Sequence, residues 1–166
     1  MNVLRARRIP IDDDYATCER TVAKLLIYPG KLNPDEISRT LEITPSETRT
    51  KGRQYTNSLG RTWSCPLNAW FLSSEGMVSS KDLRRHLNWL LDQVEPKGLQ
   101  LLELQNEPGL GMTVNCVWWS VGGQGGPTLW PEQMERLAKL NLECAFDISF
   151  FGSDDEPDPR ARTTIS

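Results

Sequence analysis

The sequence predicts an α+β fold in which two or three helices cover one face of an antiparallel-rich sheet. Three observations carry this. Thr21–Tyr28 and Leu142–Phe151 alternate apolar and polar residues, whereas the leucines of Leu83–Val94 recur at helical spacing. Helical stretches open with capping residues, and extended ones are bounded by Gly, Pro and Asn. The length of 166 residues suits one domain that buries a core without disulfide or metal staples.

Residues 1–18 read as a flexible arm, since RARR gives way to IDDD within a few positions. Residues 19–152 form the domain, and the charged, proline-broken stretch 153–166 reads as a disordered tail. The first strand, Thr21–Tyr28, puts Ala23, Leu25 and Ile27 on one face. Pro29-Gly30-Lys31 turns the chain into a short helix. Asn33 caps it, Pro34 suits its first position, and Glu36 can reach back to the cap N–H. Ile37 and Leu41 are its apolar contacts, and Thr44-Pro45 ends it.

The stretch Pro45–Leu67 mixes Thr, Tyr and Trp with Gly, Asn and Pro, which reads as a loose hairpin or long loop with Arg61–Cys65 as an edge strand. Asn68–Ser73 follows as a strand. A cap within Ser79–Asp82 starts the next helix, with Leu83, Leu87, Leu90, Leu91 and Val94 inward and Arg84, Arg85, Asn88 and Asp92 toward water. Glu95-Pro96-Lys97-Gly98 reads as its stop. Leu99–Gln105 and Gly111–Val121 read as an antiparallel strand pair joined near Pro108-Gly109. A third helix starts at Pro131, and Leu142–Phe151 is the last strand, with Cys144, Phe146, Ile148 and Phe150 on one face. From Asn68 to Phe151 this gives the β-α-β-β-α-β order of a ferredoxin-like core, to which the N-terminal strand and helix are added.

Two helix starts echo each other. Leu32–Arg39 and Leu129–Arg136 both run Leu, any residue, Pro, acid, Glu or Gln, apolar, any residue, Arg. Convergent cap chemistry explains such a match, and so does duplication of a β-α-β unit.

Composition excludes several classes. No apolar run approaches the roughly 18 residues of a membrane span. The amino terminus lacks the apolar region and cleavage site of a secretory signal, so a cytoplasmic location is expected. A net charge of -3 argues against a nucleic-acid footprint. Cys18, Cys65, Cys116 and Cys144 never form C-x-x-C, which leaves no zinc or redox motif and no expected cofactor. Cys116 and Cys144 lie at alternating apolar positions and read as core residues.

Catalytic candidates are weak. His86 is the only histidine and adjoins core Leu87, so a structural role is expected and no catalytic or metal-ligating residue is assigned. The glycines of Gly122–Gly126 could expose N–H groups to an anion, but no Lys-Ser/Thr follows and Pro127 removes a donor. Arg49, Lys51, Arg53 and Arg61 gather charge in the Pro45–Leu67 stretch, either as a solvated loop or as a site for an acidic partner. Adjacent Trp118 and Trp119 must face opposite sides of the sheet. With Met112, Val114, Cys116 and Trp118 under the helices, Trp119, Val117 and Val121 line the other face, together with Phe71 and Tyr28. A single helical layer leaves that face either open to a partner or a second copy, or covered by the long Pro45–Leu67 segment folding over it.

Leu32–Ile37, Ile43–Pro45, Lys51-Gly52, Trp70 in a strand and His86–Leu91 together resemble the motifs of a bacterial family of uncharacterised domains, domain-of-unknown-function family 4279. The resemblance covers about Val22 to Phe150. It implies no established activity and no catalytic residues. The expectation is therefore a non-catalytic protein-interaction module, such as an immunity protein or an adaptor, that occludes a protein partner or joins copies of itself through the open face and the basic loop. The alternative is a small-ligand or anion-binding domain, or an enzyme with a site near His86, Trp89 and the Pro45–Leu67 loop.

Overall fold

The computed structural model describes residues 6–150. Seven strands and four α-helices build it: β1 Cys18–Tyr28, α1 Pro34–Leu41, β2 Glu47–Arg49, β3 Gln54–Thr56, β4 Thr62–Ser64, β5 Ala69–Ser73, α2 Leu83–Val94, α3 Gly98–Leu104, β6 Gly111–Ser120, α4 Pro131–Lys139 and β7 Cys144–Phe150. Five strands form one mixed sheet in the order β2-β5-β1-β6-β7, while β3 and β4 form a separate hairpin. All pairings are antiparallel except β6 with β7, which are parallel. The architecture is α+β, as expected.

Strand alternation decides what is buried. Ala23, Leu25 and Ile27 of β1, Trp70 and Leu72 of β5, and Val114, Cys116 and Trp118 of β6 point into one core. Ile37 and Leu41 of α1, Leu87, Leu90 and Leu91 of α2, Leu101 of α3 and Leu137 of α4 close over the same face. The helices thus form a single layer. Among the described residues, no helix is long and apolar enough to cross a membrane.

The local signals at α1 act as expected. Asn33 Oδ1 accepts from Asp35 N–H at 2.9 Å and the Glu36 carboxylate accepts from Asn33 N–H at 2.7 Å, which satisfies two otherwise orphaned donors. The echo at α4 is partial. Gln133 Oε1 accepts from Trp130 N–H at 2.7 Å, but Trp130 has no side-chain oxygen to return the bond.

Two expectations need correction. Leu99–Gln105 is not a strand: after a 3-10 turn at Glu95–Lys97 the chain remains helical through α3. Pro96 sits at the start of that turn, where its missing N–H costs nothing, and Leu101 and Leu104 face the core at i, i+3 spacing. The antiparallel partner of β6 is consequently β1, and the β-α-β-β-α-β order expected from Asn68 to Phe151 lies instead in β1-α1-β2-β5-α2-β6, interrupted by the β3–β4 hairpin and with its strands side by side as β2-β5-β1-β6.

The second correction concerns Arg84, which does not face water. Its side chain is 2% exposed, ion-paired to Asp82 at 2.6 Å, and its guanidinium donates to the carbonyls of Ile9 and Pro10 at 2.7 and 2.8 Å. The ring of Trp130 covers it at 4.7 Å. These bonds hold the amino-terminal segment on the fold: Lys81 N–H donates to Asp13 O, Arg85 pairs with Asp13, and Arg8 pairs with Glu132. Residues 6–14 are therefore strapped across the starts of α2 and α4. The expected tail at 153–166 lies outside the described residues.

The alternating side chains of β7 share one face, as expected, and it is the helix face, but they are not covered. Cys144 touches the core, whereas Phe146, Ile148 and Phe150 are 44%, 60% and 51% exposed.

Candidate functional site

Among the described residues every helix lies on one side, so no helix covers the opposite, bare face of the sheet, on which Val22 and Ser73 are nonetheless buried. The register fixes its rows: Leu26 lies beside Phe71 and Thr113, Lys24 beside Ser73 and Asn115, Val22 beside Val117, and Arg20 beside Trp119. Val117, Trp119 and Phe71 are half-buried, and Tyr28 is 39% exposed. Aromatic and charged groups cover this face in layers. The Arg20 guanidinium lies 4.7 Å from the Trp119 ring and pairs with Glu75, which Lys24 also approaches at 3.9 Å. At the other side Arg49 lies 5.4 Å from the Phe71 ring and pairs with Glu47 at 2.7 Å, while Tyr28 meets Phe71 edge-on at 5.7 Å. In both places a guanidinium lies over an aromatic ring while its charge is paired with a carboxylate.

The basic residues do not act as one cluster. Arg49 belongs to β2 and thus to the bare face, where its bond to Glu47 raises its already high pKa. Arg53 lies over Tyr55 at 5.7 Å on the β3–β4 hairpin, whose Tyr55 and Trp63 rings stack at 6.0 Å. Lys51 and Arg61 are exposed on the turn before β3 and just before β4. Lys51 N–H donates to Asn68 Oδ1, which fixes the turn and leaves its ammonium outward. The Pro45–Leu67 stretch is therefore one sheet strand plus a hairpin.

Arg20, Lys24 and Glu75 were not legible as site residues. Their association with Trp119 requires β1 to pair with β6, and β1 and β6 lie far apart in sequence with no local signal linking them.

The chemistry around His86 is closed. Nε2 lies 2.7 Å from the Ser80 carbonyl, so it must carry the proton. Nδ1 then accepts from Ser74 O–H at 2.8 Å, and Ser74 Oγ in turn accepts from Ala23 N–H at 3.0 Å. Burial lowers the His86 pKa from 6.5, against the opposing effects of the Ser80 carbonyl and the Asp82 charge. Ser74 is fully buried and the ring is 2% exposed, which makes the pair a tie between β1, the end of β5 and α2. A cleft of about 160 Å³ passes beside it, lined by Arg20, Glu75, Lys81 and others, but neither Trp89 nor the Pro45–Leu67 stretch contributes.

The glycine loop has a steric explanation. At Gly125, with φ of 101°, a Cβ would lie 2.5 Å from Thr17 Oγ1 and 2.9 Å from the Tyr15 hydroxyl. Among the described residues no group of three or more His, Cys, Asp or Glu is placed to hold a metal ion.

No curated protein and no solved structure matches the chain. Residues 18–151 match a family model described as a domain of unknown function, DUF4279, and span the sheet, the helices and the bare face. The chain belongs to that family.

Proposed function

We propose that the protein is a non-catalytic interaction module, cytoplasmic, whose bare sheet face binds another protein. The observation that supports this best is the continuous band from Tyr28 and Phe71 to Trp119 and Arg20, half-buried aromatics bracketed by arginines in a face that no helix covers. Trp, Tyr and Arg are the residues that dominate binding energy at protein interfaces. A partner that displaces water from the rings while offering carboxylates to Arg20 and Arg49 fits this face. Occlusion of an enzyme surface, as an immunity protein does, and scaffolding, as an adaptor does, both use such a face. Lys51, Arg53 and Arg61 extend the positive charge at one end.

The opposing reading, a ligand-binding or enzymatic site near His86, has less support, because both ring nitrogens are already bonded within the fold. Affinity capture from the native host tests the proposal. The wild-type chain should retain one protein partner, and the double variant Phe71→Ala/Trp119→Ala should lose it while keeping the wild-type circular dichroism spectrum. Recovery of no partner, or equal recovery by the variant, would sink it.

A further inference from the structure

The free edge of the sheet at β7 lacks the usual defences. Edge strands are commonly blunted by Lys, Pro, a bulge or brevity. β7 reads CAFDISF, with one charge at Asp147, and its register with β6 runs unbroken from Cys144 to Phe150. Among the described residues its only neighbour in the sheet is β6.

The backbone direction is fixed by one bond. Val114 N–H donates to Glu143 O at 3.0 Å. Since alternate residues of a strand address the same neighbour, Ala145, Asp147 and Ser149 turn their N–H and C=O groups toward β6. Cys144, Phe146, Ile148 and Phe150 turn theirs to the open edge, and the last three also carry the exposed apolar side chains. One set of residues thus offers both unpaired backbone groups and unburied carbon.

The segment Phe146-Asp147-Ile148-Ser149-Phe150 is nearly palindromic about Ile148. We propose that β7 pairs antiparallel with β7 of a second copy of the chain about a two-fold axis at Ile148. Phe146 then lies opposite Phe150 of the second copy, Ile148 opposite its counterpart, and each Asp147 opposite a Ser149 hydroxyl that can donate to it. Centring the axis on Asp147 instead sets two carboxylates face to face in a close pair, which is destabilising. Centring it on Phe146 puts Asp147 opposite Ala145 and forgoes the hydroxyl. A shift by one residue points the backbone donors and acceptors of the two edges past each other. Self-complementarity of this kind is what an isologous interface demands, and it selects a second copy over an unrelated strand.

The result is a continuous sheet with five strands from each copy, in which both bare faces remain free for the partner proposed above. Seven residues per copy are few beside the roughly 20–30 a side of a standard interface, so the dimer should form at micromolar concentration. Sedimentation of the full chain across about 1–100 µM tests this. A concentration-dependent dimer is expected for the wild type and a monomer throughout for Ile148→Lys, with folding verified by an unchanged thermal melt. Ser149→Asp, on the opposite face of the strand, sets a carboxylate against each Asp147 and should weaken the dimer about tenfold. A wild-type monomer at the highest concentration overturns the proposal. So does a dimer unaffected by Ile148→Lys, and one unaffected by Ser149→Asp overturns the register.

Discussion

Cys116 and Cys144 hold their sulfurs 3.6 Å apart yet sit two residues out of register, because Cys144 pairs with Val114 and Cys116 with Phe146. At about 3.3 Å per residue and about 4.8 Å between strands, their Cα atoms lie about 8 Å apart, beyond the roughly 7 Å that a disulfide bridges without backbone movement. The two remain thiols in contact. The shared hydrogen bond lowers the Cys144 pKa below 9.0 and, with burial, raises that of Cys116. Cys18 is pushed up to about 11 by burial. Alkylation near neutral pH should therefore label Cys144 first, and Cys144→Ser should abolish the fast phase. Mass spectrometry after a mild disulfide oxidant should find no Cys116–Cys144 bridge. Equal reactivity of Cys18 or Cys116, or formation of that bridge, would contradict the geometry.

The buried pair of Arg84 and Asp82 gives a stability prediction. Arg84→Met leaves the Asp82 carboxylate without its main partner and frees the carbonyls of Ile9 and Pro10. A loss of about 3–5 kcal/mol is expected in urea denaturation, as for other broken buried pairs. The double variant Asp82→Asn/Arg84→Met, which removes both charges and keeps a capping oxygen, should recover part of it. A double variant no better than the single one would show that charge burial is not the cause.

Acid sensitivity should come in two separate ranges. His86 has a depressed pKa in the fold, so below its ordinary value of 6.5 the unfolded chain takes up the proton first and stability falls until the folded pKa is passed. Asp82 behaves in the same direction at lower pH. Burial tends to raise its pKa, but the bonds from Arg84 and the Asp12 N–H hold it below 3.8, and the stability this confers is lost as pH falls through the folded value. Melting temperature should drop between about pH 7 and pH 5 in the wild type and stay level there in His86→Gln, since no other histidine titrates in that window. An equal slope in the variant would disprove the assignment.

A smaller effect belongs to the cap of α1. Asn33→Ala removes the oxygen that receives Asp35 N–H, and about 1 kcal/mol should be lost. Asn33→Asp should retain nearly all of the stability. If alanine is neutral, the capping box does not set the start of this helix.

What could be read from the chain was chiefly what neighbouring residues decide together. Asn33, Pro34 and Glu36 specify a helix start within four positions, and the leucines of α2 specify its buried side. Leu99–Gln105 misleads because a short apolar run fits either period, and Pro96 looks like a stop although it is harmless at a helix start. Arg84 misleads for another reason: its position on α2 is polar by pattern, and what buries it is the distant segment Ile9–Pro10 with Trp130. The bare face was foreseeable from Trp118 and Trp119 in one strand. Its charged cover, Arg20 on Trp119, depends on strand pairing that no local pattern encodes.

The central place of β1 also governs how the chain reaches this fold. It is the first strand made, yet one of its neighbours comes from Ala69–Ser73 and the other only from Gly111–Ser120, so one of its edges waits until most of the domain has been synthesised. Closing those long loops must precede any reward from the pairing, which places the protein among slow, high-contact-order folders. An unpaired Thr21–Tyr28 on the nascent chain is accordingly the segment a chaperone would be needed to shield.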